Sequence, residues 1–290
     1  MRALWQALLG VMALLLAGGE VRGQQPPDRV EIPFEWENGL IWVKVAAKGK
    51  KLNFVVDSGA GATVLSFETV QRLRLKAGDP IPLYGAGIES VAYKIDSFEG
   101  SLHGVALGSE VFAVPLRKLK GRGWRFRKMD GMIGQDFFRG RIVEIDFKNR
   151  RLTLFNRLEK RARSHRLPLR YEKDAMLVPV RVNGSEPHWV RLDTGCVSAL
   201  EWVMGNGSGR KEIEAEVRLG SSRCTGVRVG VHGKPFFEGE AGLLGNGLLS
   251  LYRVTIDTRS MQVLLEQPER DNDSKAVFGT VSENGVWHSG

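Results

Sequence analysis

The sequence predicts a mainly β protein built from two copies of one lobe, and three observations carry that expectation. First, Phe54-Val55-Val56-Asp57-Ser58-Gly59-Ala60 and Trp189-Val190-Arg191-Leu192-Asp193-Thr194-Gly195-Cys196 each run into Asp, a hydroxyl residue and Gly. Such a run places a carboxylate on a tight turn where a strand ends. Second, Met132-Ile133-Gly134 ahead of Ile142–Asp146 is echoed by Leu243-Leu244-Gly245 ahead of Arg253–Asp257, and the spacing from Gly134 to Gly245 equals that from Asp146 to Asp257. Third, the rest of the chain is short apolar alternations broken by Gly, Asn and Lys clusters, with Gly at 35 in all, as in a turn-rich β protein. Chance alone gives Asp-[Ser/Thr]-Gly about 0.1 times in a chain of this composition, so two copies with matched flanks read as an internal duplication. The two Asp turns stand further apart than the two glycines do, which makes the second copy the shorter one between turn and glycine.

The elements follow in order. Residues 1–23 read as a secretory signal, with Arg2 before the apolar run Ala7–Ala17 and Val21-Arg22-Gly23 as the cleavage site before Gln24. Because Val and Gly meet the small-residue rule weakly, an uncleaved N-terminal anchor is the alternative; no other stretch is long enough to span a bilayer. Residues 24–37 form an N-terminal extension, 38–158 the first lobe, 159–172 a basic linker, 173–268 the second lobe, and 269–290 a polar, unpatterned and mobile tail. Leu40–Val45 and Leu52–Val56, joined over Lys48–Lys51, read as a hairpin feeding Asp57. Leu177–Val182 and Trp189–Leu192, joined at Asn183-Gly184, are its counterpart feeding Asp193. Ser66–Leu75 is the clearest short helix. Tyr84-Gly85-Ala86-Gly87 followed by Val91–Ile95 looks like an insertion in the first copy, for which Met204–Arg210 leaves little room in the second.

Composition narrows the function classes. With 290 residues, 42% hydrophobic and 26% charged, the chain holds one large core or two small ones. Two cysteines, Cys196 and Cys224, exclude a disulfide framework. Two free, buried thiols are favoured over one bridge. Five scattered histidines lack metal-ligand spacing, so neither metal nor cofactor is expected. The net charge of +9 is concentrated in Arg117–Lys128, seven cations without an acid. That stretch suits nucleic acid, anionic lipid or an acidic polymer, yet a solvated loop is the favoured reading and no nucleic-acid partner is expected. A Gly-x-Ser-x-Gly elbow and a complete phosphate-binding fingerprint are both lacking.

The paired strand-Asp-[Ser/Thr]-Gly turns, each followed by two apolar residues and Gly, resemble the lobes of the retropepsin-like and pepsin-like aspartic proteases. Over residues 38–266 the chain is similar to a single-chain, two-lobed bacterial member of that group. The resemblance implies two homologous β-barrel lobes with a catalytic cleft between them, and Asp57 and Asp193 as the catalytic pair. Ser58 and Thr194 would cross-link the turns, while Gly59 and Gly195 permit their tight backbone. Tyr84, Gly85, Ala86 and Gly87 are candidates for a single substrate-covering flap, with an ordinary β-turn as the alternative. It further implies an endopeptidase acting on extended polypeptides without a cofactor; the signal-like segment points to export, and two turns on one chain point to a monomer.

One exposed Asp is a poor acid at neutral pH. Two carboxyls held about 3 Å apart share a proton, so that one serves as base and the other as acid. Each Asp by itself is an ordinary turn former; the duplication is what favours a pair. Ala60 and Cys196 follow the two glycines, where pepsin-like enzymes often carry a Ser bonded to the carboxylate, so the optimum is expected to be less acidic than pepsin's, above about pH 2. Gly247 replaces Asp136 in the second copy. A degenerate second lobe would leave an inactive two-lobed protein that binds peptide or polymer, which is the competing reading.

Overall fold

The computed structural model describes residues 28–85, 88–108, 110–116, 127–158, 161, 164–172, 174–204 and 211–267. The expected signal or anchor, the flap candidates Ala86 and Gly87, residues 117–126 of the basic stretch, residues 205–210 and the C-terminal tail lie outside them.

The first lobe contains β1 (Arg29–Pro33), β2 (Glu35–Glu37), β3 (Leu40–Ala47), β4 (Lys50–Val56), β5 (Thr63–Ser66), α1 (Phe67–Leu73), β6 (Ala77–Gly85), β7 (Ile88–Ile95), β8 (Gly100–Leu102), β9 (Val105–Ala106), β10 (Val111–Val114), β11 (Gly131–Ile133), β12 (Ile142–Asp146) and β13 (Arg151–Phe155). The second contains β14 (His165–Pro168), β15 (Arg170–Glu172), β16 (Ala175–Val182), β17 (His188–Leu192), β18 (Leu200–Val203), β19 (Glu212–Leu219), β20 (Ser222–His232), β21 (Gly242–Leu244), α2 (Asn246–Leu249), β22 (Arg253–Asp257) and β23 (Gln262–Glu266). The protein is mostly β and two-lobed.

Both hairpins that deliver the aspartates turn where the sequence signals it. Lys48 and Gly49 take φ of +47° and +70°, Asn183 and Gly184 +49° and +77°, the left-handed pair that matches strand twist. α1 starts on Ser66, whose hydroxyl accepts from the Thr69 amide, and stops where Arg74 turns left-handed at φ 51°. It is therefore shorter than the periodicity over 66–75 suggests.

Ten strands of the first lobe make one sheet; seven strands of the second make another, closed into a barrel by pairing of β16 with β19. A third, six-stranded sheet, ordered β1-β13-β12-β22-β23-β14, draws strands from both lobes. Its centre is the antiparallel pair β12–β22, with Ile142 opposite Asp257 and Asp146 opposite Arg253. Strands extend into segments read from sequence as extension and linker. β2 pairs with β3, and β15 pairs with β16 in the same way, so the repeat starts at Glu35 and Arg170, ahead of the hairpins.

The shortening of the second copy has two locations. Gly100 and Val217 pair with equivalent residues of the two lobes, Ala47 and Val182, and so mark matching positions. Most of the loss falls between the Asp turns and these positions, where the first lobe carries α1 and the β6–β7 hairpin. The smaller remainder falls between these positions and the repeat glycines, where the first copy carries the basic stretch. The long hairpin β19–β20 therefore occupies the place of β8–β10 rather than that of β6–β7.

One apolar cluster runs through both lobes and includes Val56, Ile133, Leu192 and Leu244 around the two turns. A second, comprising Leu40, Trp42, Val55, Ala92, Val114, Leu116, Met129 and Met132, lies under the β6–β7 hairpin, with Leu83 packed on it.

Candidate active site

Asp57 and Asp193 leave the ends of β4 and β17 and meet between the lobes. Their backbones are held alike: the Asp57 amide donates to the Ile133 carbonyl and the Asp193 amide to the Leu244 carbonyl, both at 2.9 Å. The apolar pair before each repeat glycine thus supplies the strand that anchors the turn, β11 beside β4 and β21 beside β17.

The hydroxyl residues cross between lobes. The Ser58 amide donates to Thr194 Oγ1 at 2.9 Å, and the Thr194 amide to Ser58 Oγ at 3.0 Å. Ser58 Oγ donates in turn to the Leu192 carbonyl at 2.7 Å, and Thr194 Oγ1 to the Val56 carbonyl at 2.9 Å. All four bonds are buried, where losing a partner strands a desolvated polar group. The turns are locked at one separation.

The two glycines have steric reasons. A Cβ on Gly59 would lie 2.6 Å from Asp193 Oδ1, and one on Gly195 would lie 2.5 Å from Asp57 Oδ2. Each carboxyl is pressed against the other lobe's turn. Asp57 Oδ1 accepts from the Gly59 amide at 2.9 Å and the Ala60 amide at 3.1 Å, and Asp193 Oδ1 from the Gly195 amide at 2.8 Å.

Burial pushes the Asp57 carboxyl well above the usual carboxylate range, and the neighbouring Asp193 pushes it further. Burial raises Asp193 too, while its interaction with Asp57, its bond from the Gly195 amide and the attraction of Arg191 pull against that rise. Two carboxyls this close oppose each other's ionisation. Cys196 is free and half-buried, and burial followed by the field of Asp193 pushes its thiol up to about 12. It stays a neutral thiol and no nucleophile. Cys224 is likewise free and half-buried, beside the Tyr252 hydroxyl.

Further residues that the motifs do not mark join the site. The Asn246 side-chain amide donates to the Gly39 carbonyl at 2.8 Å and to the Thr194 carbonyl at 2.6 Å. Gln135, its counterpart in the first copy, donates to the Asp174 carbonyl. These amides reach matching turns, β2–β3 in one lobe and β15–β16 in the other, so each lobe clasps its partner. Their signal in the sequence is the position just after the repeat glycine. Arg191 donates to the Gly59 carbonyl at 2.7 Å and pairs with buried Glu240; its signal is one charge inside an apolar run.

Gly247 proves a matched replacement. In the first lobe Asp136 accepts from the Thr63 hydroxyl at 2.9 Å. In the second, Ala199 stands where Thr63 does, and a Cβ on Gly247 would come within 2.7 Å of the Ala199 nitrogen. A hydrogen-bonded pair has become a close backbone approach. β6 and β7 form the expected hairpin of the first lobe, with Tyr84 and Gly85 at the end of β6. Among the described residues no group of His, Cys, Asp and Glu is arranged to hold a metal ion, and no helix is long and apolar enough to cross a membrane.

This geometry agrees with what the chain is similar to. Residues 43–137 match the family model described as aspartyl protease. Among solved structures, the aspartic proteinase from Irpex lacteus superposes with a TM-score of 0.55 at 12% identity, over 82% of this chain and 97% of that one. No curated protein sequence is significantly similar. The family match thus covers the first lobe, and the structural likeness shows the two-lobed fold of the whole.

Proposed function

We propose that the protein is an aspartic endopeptidase that hydrolyses peptide bonds of extended polypeptides with a water held between Asp57 and Asp193. The observation that carries this reading is the reciprocal contact of the two carboxyls, each against the other lobe's glycine, inside a four-bond lock between Ser58 and Thr194. A degenerate second lobe does not need that symmetry.

The chemistry needs one proton on the pair. The ionised carboxyl removes a proton from water as its oxygen bonds to the scissile carbonyl carbon; the protonated carboxyl donates to the carbonyl oxygen. The resulting gem-diol collapses as the C–N bond breaks. One carboxyl then protonates the departing nitrogen while a hydroxyl proton returns to the other, and the pair is restored. An extended substrate pairs its main chain with strand edges, and the β6–β7 hairpin, with Tyr84 and Gly85 at the end of β6, is the covering flap. The N-terminal apolar run supports export, and one chain carrying both turns supports a monomer.

Cleavage of an unfolded polypeptide, followed with the purified protein across the acidic to neutral range, tests this. The wild type cleaves, and Asp57→Asn and Asp193→Asn each lose at least about 10³-fold in kcat. A wild type no more active than either variant at every pH refutes a peptidase and leaves a binding protein.

A further inference from the structure

The dyad is built on a pseudo-twofold plan, and Arg191 breaks it. The position two residues before the first aspartate is Val55, fully buried in the apolar cluster under the hairpin. Its counterpart two residues before Asp193 is Arg191, only 5% exposed. Strand residues two apart point to the same side, so the cation stands on the side of Asp193.

Every arm of the guanidinium is engaged. Nε donates to Glu240 Oε2 at 2.8 Å and one terminal nitrogen to Glu240 Oε1. The other donates across the lobe boundary to the Gly59 carbonyl, and the Phe237 ring lies 3.6 Å from Cζ. A buried ion pair contributes little or no more to stability than an apolar pair of the same volume, and the first lobe uses an apolar residue here. Stability therefore does not account for the arginine. Its cross-lobe contact is with the residue whose Cα faces the Asp193 carboxyl.

Resting on the dyad reading above, we propose that Arg191 is the positioning residue of the pair: it ties the Asp57 turn to the second lobe and makes Asp193 the ionised member, leaving the shared proton on Asp57. Asp193 is then the base toward water and Asp57 the acid toward the carbonyl oxygen. The charged and titratable groups facing this corner are Asp57 from the end of β4, Glu240 from the segment before β21, Cys196 on Asp193's own turn, and Glu201 of β18, whose field reaches Cys196. Against these acidic groups stands Arg191, whose attraction acts on Asp193.

The test is carboxyl-carbon NMR titration of the full chain labelled at aspartate, with Asp57 and Asp193 assigned through their Asn variants. In the wild type the lower of the two midpoints is read at Asp193. Arg191→Met raises that midpoint by about one pH unit, because the attraction is gone. Glu240→Gln lowers it, because Arg191 loses its counter-charge. Arg191→Lys leaves it in place yet drops kcat about tenfold through the lost Gly59 bond, with KM little changed. Opposite movements in the Met and Gln variants are not produced by a merely structural role. A midpoint that stays put in both folded Arg191→Met and folded Glu240→Gln, or a lower midpoint at Asp57, overturns the proposal. If Arg191→Met does not fold, Glu240→Gln alone decides the direction. The titration reads the proton whether or not the protein cleaves polypeptide, so an inert wild type counts against the peptidase reading and not against this one.

Discussion

At the scale of single residues, the site is a set of buried polar groups that satisfy one another across a lobe boundary. Both aspartates titrate higher in the fold than in the unfolded chain, so the folded state binds the extra proton. That contribution is fully present below the unfolded carboxylate range and is lost as pH rises through the folded values. Asp57→Asn removes the cost of taking up that proton on folding above the unfolded carboxylate range, while keeping an oxygen for the Gly59 and Ala60 amides. It is expected to raise stability at neutral pH by about 1–2 kcal/mol, with the gain shrinking in acid; denaturant melts at two pH values check it. Ser58→Ala removes the donor to Leu192 and the acceptor for Thr194 together, at an expected cost of about 2–3 kcal/mol. The dyad and its hydroxyls are legible in the sequence because their residue types recur in the same order. Gln135 and Asn246 are marked only by their place after the repeat glycine and Arg191 only as one charge in an apolar run, while Glu240 carries no mark; what each of these side chains touches leaves no local pattern.

At the scale of elements, the sequence marks hairpins well and trimmed segments poorly. Gly and Asn at left-handed positions identify the turns of β3–β4 and β16–β17 without reference to anything distant. β2, β15 and β14 leave no such mark, because strands this short carry too few alternations to show a period. The single deficit of the second copy likewise hides two separate losses, visible only once strand pairing fixes the register. From Ala92 toward its tip β7 has no pairing with β10, and the hairpin pairs only with itself from Ile81 to Val91. Replacing Tyr84–Glu89 by a short Asn-Gly turn, which keeps Leu83 on the second apolar cluster, is therefore expected to leave the melting temperature nearly unchanged. It should cost about 10²-fold in kcat/KM if the hairpin covers substrate. Full activity in the shortened protein refutes the flap.

At the scale of the whole molecule, duplication alone brings two aspartates from distant parts of the chain to one point. The six-stranded sheet joins the lobes, and ion pairs cross it. Arg253 of the second lobe pairs with Asp146 of the first at 3.0 Å. Arg161 bridges Glu144 at 2.6 Å and Glu266 at 2.5 Å, one from each lobe. The fold is therefore expected to unfold in one transition for both lobes. Arg161→Ala takes its ion-pair partner from Glu144, whose side chain is 10% exposed, whose carboxyl burial already raises and which keeps a 3.5 Å bond from the Thr255 hydroxyl, and is expected to cost about 2–3 kcal/mol. Calorimetry of wild type and variant reads both statements. Two separate transitions mean that the shared sheet does not couple the halves.

The most direct test of a shared proton is the pH dependence of kcat/KM on an unfolded polypeptide. One proton between Asp57 and Asp193 predicts a bell, falling in acid as the base is protonated and falling toward alkali as the acid is lost. A rate that climbs to a plateau and holds through neutral pH, or persists in either Asn variant, contradicts it.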